Sequence, residues 1–239
     1  MRYLIRISYD GSKFYGFQRL KNHSTIQKSL EEALTKIDGN PVVVKGSGRT
    51  DRGVHANDQC VHFDLNHEIP SEGLKSILNK LIGPYIYVKT CEVVSLDFHA
   101  RFSVKQKTYR YRIYFGSYCP QLYDYVTFYP KSLDINLMKE ASKLFLGVHD
   151  FRMFVSGERE NNMSILYDIS FHEEEEFLDI IFVGRSFYRY MVRNIVGALL
   201  DVSSKKRESS EIVRALNGEE VKQFSTAMSQ GLYLEKIEY

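Results

Sequence analysis

One order of segments, strand-helix-strand-strand-helix-strand, occurs twice along this chain and limits its fold more than any other feature. Residues 3–9 alternate apolar and polar side chains with the two-residue period of a strand. Ser24 reads as the N-cap of a helix over residues 25–37, with Leu30, Ala33, Leu34 and Ile37 on one face. Asp38-Gly39-Asn40-Pro41 stops that helix. Residues 42–45 and 59–65 read as strands, Pro70-Ser71 opens a second helix, and residues 85–94 carry a strand. In the second half, residues 108–115 form a strand with Tyr109, Tyr111, Ile113 and Phe115 on one face. A helix over 135–146, strands near 165–171 and 177–183, a helix over 190–202 and a strand over 231–239 complete it. Each half predicts the split β-α-β-β-α-β arrangement. The expected fold is therefore α+β, with two ferredoxin-like halves over residues 1–105 and 106–239. Their antiparallel sheets are expected to be packed or merged around a central cleft.

Length and composition agree with two small cored units: the chain has 239 residues, of which 44% are hydrophobic and 26% charged. No apolar run approaches the roughly 18 residues of a membrane span, and the first residues alternate rather than forming a signal peptide. No membrane partner is expected, and the expected location is the cytoplasm. Cys60, Cys91 and Cys119 form no C-x-x-C pair, so free thiols in a reducing compartment are expected, and no metal.

Net charge is only +2, but it is unevenly spread. Residues 98–123 hold Arg101, Lys105, Lys107, Arg110 and Arg112, no acid, and many aromatic rings. Residues 184–200 hold Arg185, Arg189 and Arg193 without an acid, while Glu173 to Glu176 collect negative charge. Such segregation suits a face laid on a phosphate backbone, and equally a basic strand face solvated by water.

The densest local signal is Lys45-Gly46-Ser47-Gly48-Arg49-Thr50-Asp51-Arg52-Gly53-Val54-His55-Ala56, between two strands. Its glycines permit unusual backbone angles and close approach of a ligand. The flanking arginines are expected to keep Asp51 ionised. An oriented carboxylate suits nucleophilic or base chemistry, while a tight hairpin with a structural Asp–Arg pair fits the residues as well. Neither a P-loop nor a dinucleotide-binding fingerprint is present. His55, His62 and His149 lie in no constellation and read as structural.

GSGRTDRGVHA resembles the signature of the TruA family of tRNA pseudouridine synthases, in which the aspartate is catalytic. YDGSKFYGFQ, FHARFSVKQKTYRYRI, GVHDFRMF, SFYRYMVRNIVGALL and GLYLEKIEY resemble further segments of that family, in order and across nearly the whole chain. The resemblance implies isomerisation of uridine to pseudouridine in the anticodon stem-loop of tRNA, without cofactor or metal, by a homodimer. It makes Asp51, Tyr109 and Arg193 the catalytic set: Asp51 initiates, Tyr109 packs on the flipped uracil, and Arg193 pairs with the aspartate. Arg49 would occupy the space the flipped base leaves. Thr50, Phe17, Gln18, Phe98, His99, Arg101 and Phe102 would complete the substrate contacts.

Several positions depart from the family pattern: Phe17 for Trp, Arg52 for a small residue, Asp58 for Gly, Ser164 in a usually basic run, and Ala227 to Gln230 in a usually Pro-containing one. They fall where RNA is expected to be gripped. That keeps open a synthase acting on another RNA, such as ribosomal RNA. More distant alternatives are a non-catalytic RNA-binding protein and an enzyme of free nucleosides.

Overall fold

The computed structural model describes residues 1–129, 132–157 and 160–239. In chain order its elements are β1 (Arg2–Tyr9), α1 (Ile26–Asp38), β2 (Lys45–Gly46), β3 (His55–Asp64), α2 (Ser71–Ile82), β4 (Ile86–Val93), β5 (Gln106–Tyr114), β6 (Thr127–Phe128), α3 (Ile135–Ser142), β7 (Gly147–Asp150), β8 (Met163–Glu174), β9 (Phe177–Gly184), α4 (Met191–Ser203), α5 (Ser209–Leu216) and β10 (Leu232–Glu238), with short 3-10 turns between some of them. Both halves are α+β, as the segment pattern predicts. The chain forms two compact units: Met1–Lys105 with Tyr233–Tyr239, and Gln106–Leu232. None of the helices among the described residues is long and apolar enough to cross a membrane.

In the first unit β1 lies between β3 and β4, antiparallel to both, with Ile5 opposite Val61 on one side and Cys91 on the other. Short β2 pairs antiparallel with β3, and β10 pairs parallel with β3 through Tyr233 and Leu234. Ile26, Leu30, Ala33 and Leu34 of α1 and Leu74 and Leu78 of α2 are buried with Tyr3, Ile5, Ile7, Phe63 and Val88 of the strands. Burial of each such side chain contributes about 1.5–3 kcal/mol, which is why the apolar stripe of each helix fixes the face it turns inward.

The second unit orders its strands β5-β9-β8-β7, every neighbouring pair antiparallel. Tyr109, Tyr111 and Ile113 of β5 are buried, with Leu178, Ile180 and Phe182 of β9. Every residue of α4 except Arg193 is buried. Gly197 is needed there, because a Cβ on it would lie 1.6 Å from the carbonyl oxygen of Ser225.

Several boundaries differ from the sequence expectation, each for a local reason. Thr25, not Ser24, caps α1: its Oγ1 accepts the Lys28 N–H at 3.3 Å. Residues 42–44 are not a strand. Their backbone is satisfied by α1 side chains instead, Val42 N donating to Thr35 Oγ1, Val44 N to Glu31 Oε1, and Gln27 Nε2 to Val44 O. The helix from Ile135 ends at Ser142 and tightens into a 3-10 turn over Lys143–Phe145. Phe115 lies past the end of β5, its N–H donated to Glu176 O, and is 37% exposed. Neither β7 nor α5 is anticipated by the periodicity.

Candidate active site

The Asp51 loop runs back along β3, from β2 to the start of β3 at His55. Asp51 O accepts the Val54 N–H at 3.1 Å, and Gly53 turns the chain at φ +80°. Below the turn the loop is anchored by side chains that its own motif does not contain. Tyr9 and Thr50 share a hydrogen bond at 2.8 Å, and Gln59 Nε2 donates to Gly48 O at 2.9 Å. The phenol of Tyr9 is pushed up to about 12 by burial, so it remains a neutral partner for Thr50. Gly11 N donates to His55 Nδ1 at 3.1 Å, and the His55 ring stacks on Tyr233 with centroids 4.7 Å apart.

The second anchor is the segment after β1. Phe17 N donates to Thr50 O at 3.0 Å, and Gly16 faces the same carbonyl so closely that a Cβ would lie 2.8 Å from it. The Phe17 ring is buried against Gly46, where a Cβ would meet its Cζ at 2.5 Å. Phe17 therefore acts on the loop from beneath. Asp51 itself is half-buried, whereas Arg49, Arg52 and Gln18 are exposed. Arg49 makes no ion pair with any described residue, so the structural Asp–Arg pairing is not made through it. Thr50 is turned inward and Arg49 outward, directly before the half-buried Asp51.

Phe98, His99, Arg101 and Phe102 occupy a different part of the same unit. Ala100 N donates to His62 Nδ1 at 3.1 Å, Arg101 N to His99 Nδ1 at 3.1 Å, and Tyr239 OH to Ala100 O at 2.9 Å. His62 lies seven residues along β3 from His55, about 23 Å at strand rise. The turn is thus well away from Asp51, and Phe102, 77% exposed beneath the Arg101 guanidinium, faces solvent. Burial, with His99, Arg2 and Lys45 nearby, holds His62 down to about 4, so its ring accepts from Ala100 in the neutral form, and burial lowers His99 as well.

Tyr109 and Arg193 belong to the second unit. Tyr109 is buried edge-on to Phe187, centroids 4.9 Å apart. Arg193 Nε donates to Ala227 O at 2.8 Å, and its guanidinium lies 4.7 Å over Tyr190. His149 hydrogen-bonds to Leu146 O. Groups of three or more His, Cys, Asp or Glu placed to hold a metal do not occur among the described residues.

The departures from the family pattern prove to be mostly internal. Asp58 is buried and pairs with Arg6 while accepting the Ile237 N–H. Ser164 is buried and donates to Ser186 O at 2.6 Å, and Phe17 and Ala227 are buried. All four expose little of their side chains, whereas the sequence reading puts them where RNA is gripped. Arg52 and Met228 are the exposed ones.

The family model described as tRNA pseudouridine synthase matches residues 5–103 and 141–239. A tRNA pseudouridine synthase A of Listeria monocytogenes serotype 4a is 42% identical over 245 residues, covering all of this chain and 99% of the relative. Its counterpart in Staphylococcus saprophyticus is 39% identical, covering 99% of this chain and 90% of the relative. A chain of a Cbf5-Nop10-Gar1 complex resembles this one at 12% identity and a TM-score of 0.36, covering 83% of this chain and 45% of that one; the likeness is too low to carry an argument. This chain belongs to the tRNA pseudouridine synthase family.

Proposed function

We propose that this chain converts uridine to pseudouridine in the anticodon stem-loop of tRNA, with Asp51 initiating the reaction. The observation that carries this reading is the Asp51 turn: a half-buried carboxylate between exposed arginines, fixed from below by Tyr9, Phe17 and Gln59. Fixed geometry serves a reaction in which one group must hold a reacting sugar while the base turns. The N1–C1′ bond breaks, uracil rotates, and a C5–C1′ bond forms; C5 loses its hydrogen and N1 gains one.

Tyr109 is proposed to pack on the turned uracil and Arg193 to pair with the aspartate, on the strength of their motifs. Arg49 is proposed to fill the place of the flipped base, its planar guanidinium suited both to stacking and to phosphate. Phe98, His99, Arg101 and Phe102 are proposed to hold RNA away from the target base, as their distance from Asp51 and the exposure of Phe102 support. Phe17 and Thr50 are proposed to serve the substrate through the loop they hold, and Gln18 by direct contact. The chain is further proposed to act as a homodimer in the cytoplasm.

Loss of the C5 hydrogen gives the test. Tritium release from RNA labelled at uracil C5 is expected with tRNA and not with ribosomal RNA. Asp51→Asn is expected to lower it at least about a thousandfold. Release only from ribosomal RNA would transfer the activity to that substrate, and release from neither would overturn the reading. Sedimentation as a monomer at micromolar concentration, with and without tRNA, would remove the homodimer.

A further inference from the structure

Directly after Asp51 the chain exposes an ordered column that the reaction itself does not require. The guanidinium of Arg52 lies 4.3 Å over the ring of Tyr15. Tyr15 in turn stacks on His23, centroids 4.1 Å apart and planes 21° from parallel. One face of a phenol ring cannot hold both at such distances, so Tyr15 is sandwiched between guanidinium and imidazole. Backbone bonds keep the column in place: Tyr15 N donates to Ser24 O at 2.9 Å, and Phe17 N to Thr50 O at 3.0 Å. All three side chains are exposed, Tyr15 to 42%.

The surroundings point to a polyanion. Residues 11–30 hold Lys13, Arg19, Lys21 and Lys28 and no acidic residue. Arg19 is paired with Glu31, and Lys28 lies near Glu32. Lys21, Arg49 and Arg52 make no ion pair with any described residue. Unpaired cations beside a stacked aromatic column are the two components of single-strand recognition, phosphate attraction and base stacking.

We propose that the Arg52–Tyr15–His23 column is a subsite for an unpaired stretch of the RNA substrate. One base extends the stack on the open face of His23, and Arg52, held by Tyr15, donates to a phosphate. This rests on the reading of the chain as an RNA-acting synthase and adds to it a grip separate from the residues assigned to the uridine.

The test uses the full chain carrying Asp51→Asn, binding a tRNA transcript across a salt series, with kinetics of the same variants in the Asp51 background. His23→Ala and Tyr15→Ala are each expected to weaken binding about tenfold, and His23→Ala to leave the salt slope unchanged. Arg52→Ala is expected to weaken binding and lower the slope by about one counterion, while Arg52→Lys keeps the slope. Tyr15→Phe, which preserves the stack, is expected to bind as wild type does. Combining Tyr15→Ala with Arg52→Ala should cost less than the product of the two, because Tyr15 acts partly by holding Arg52. In turnover, KM should rise with kcat within about twofold. Binding unchanged within about twofold for all three alanine variants overturns the subsite. So does a loss confined to kcat, which would make the column a prop for the Asp51 loop. If wild-type protein binds tRNA but releases no tritium, the proposed activity fails while the binding series still judges the column.

Discussion

Gly16 sits at φ +91° facing the carbonyl of Thr50, and no side chain fits that gap: a Cβ would lie 2.8 Å from the oxygen and 3.2 Å from the Arg52 nitrogen. Gly16→Ala must either strain its own backbone or push away the turn that carries Asp51. We expect a loss of roughly 1–3 kcal/mol in urea denaturation, and a fall in kcat larger than any rise in KM, since the carboxylate is displaced rather than the RNA grip. His62 gives a prediction in pH. Its ring is held down to about 4, first by burial and then by His99, Arg2 and Lys45, whereas an unfolded chain titrates its histidines near 6.5. Between those values the unfolded chain takes up a proton that the fold refuses. Stability from this residue is therefore complete above about pH 6.5 and is lost as pH falls toward about 4. His62→Gln retains an acceptor for the Ala100 N–H without titrating. Its stability should change less with pH across that window in denaturant titrations, and an unchanged slope would show that other groups set the acid limit.

Glycine within helices gives the element scale two opposite expectations for the same change. In α4, a Cβ at Gly197 would lie 1.6 Å from Ser225 O, a backbone atom that cannot rotate aside. Gly197→Ala should cost more than about 3 kcal/mol, as overpacking does when no side chain can yield. In α2, Gly73 is exposed with nothing within 4 Å of its would-be Cβ. Gly73→Ala should stabilise by about 0.5–1 kcal/mol through helix propensity alone. Paired thermal melts decide both. The same contrast explains what could be read in advance. Helices α1, α2 and α4 and strands β1, β5 and β9 carry enough periods of apolar side chains to betray themselves. α5 buries only Ile212, Ala215 and Leu216, about one turn of signal, and four-residue β7 has less. Residues 42–44 have strand-like composition, yet distant side chains of α1 take their hydrogen bonds. At the site, the Asp51 motif was legible as a string. Tyr9, which supports it, is brought there by the register of β1 on β3, with Tyr9 opposite Ala56 beyond a bulge. Phe17, Asp58 and Ser164 look like RNA-facing changes in the string because burial depends on contacts far away in sequence.

On the scale of the whole chain, the last seven residues belong with the first 105, although a complete unit is built between them. Leu234 and Ile237 are wholly buried, and β10 pairs with β3 at His55 and Ala56, immediately after the Asp51 turn. Ile237 N donates to Asp58, Arg6 donates to Ile237 O, Lys105 N donates to Glu238 O, and the final residue, Tyr239, reaches Ala100 O. The stack of His55 on Tyr233 extends this anchoring to the foot of the Asp51 loop. Removing residues 233–239 should therefore damage the far end of the sequence. Burial of Leu234 and Ile237 alone is worth about 3–6 kcal/mol, and the Asp58–Arg6 pair would lose the backbone groups that complete it. Ile237→Ala, at about 2–5 kcal/mol, is the milder form of the same change. Hydrogen exchange on this variant should rise at 55–60 and in the Asp51 loop, and stay at wild-type levels in β8 and β9, because local opening follows the contacts removed. Equal acceleration in β8 and β9 would mean instead that the units open as one cooperative block. In that case the C-terminal strand would govern the stability of the entire fold, not only the positioning of Asp51.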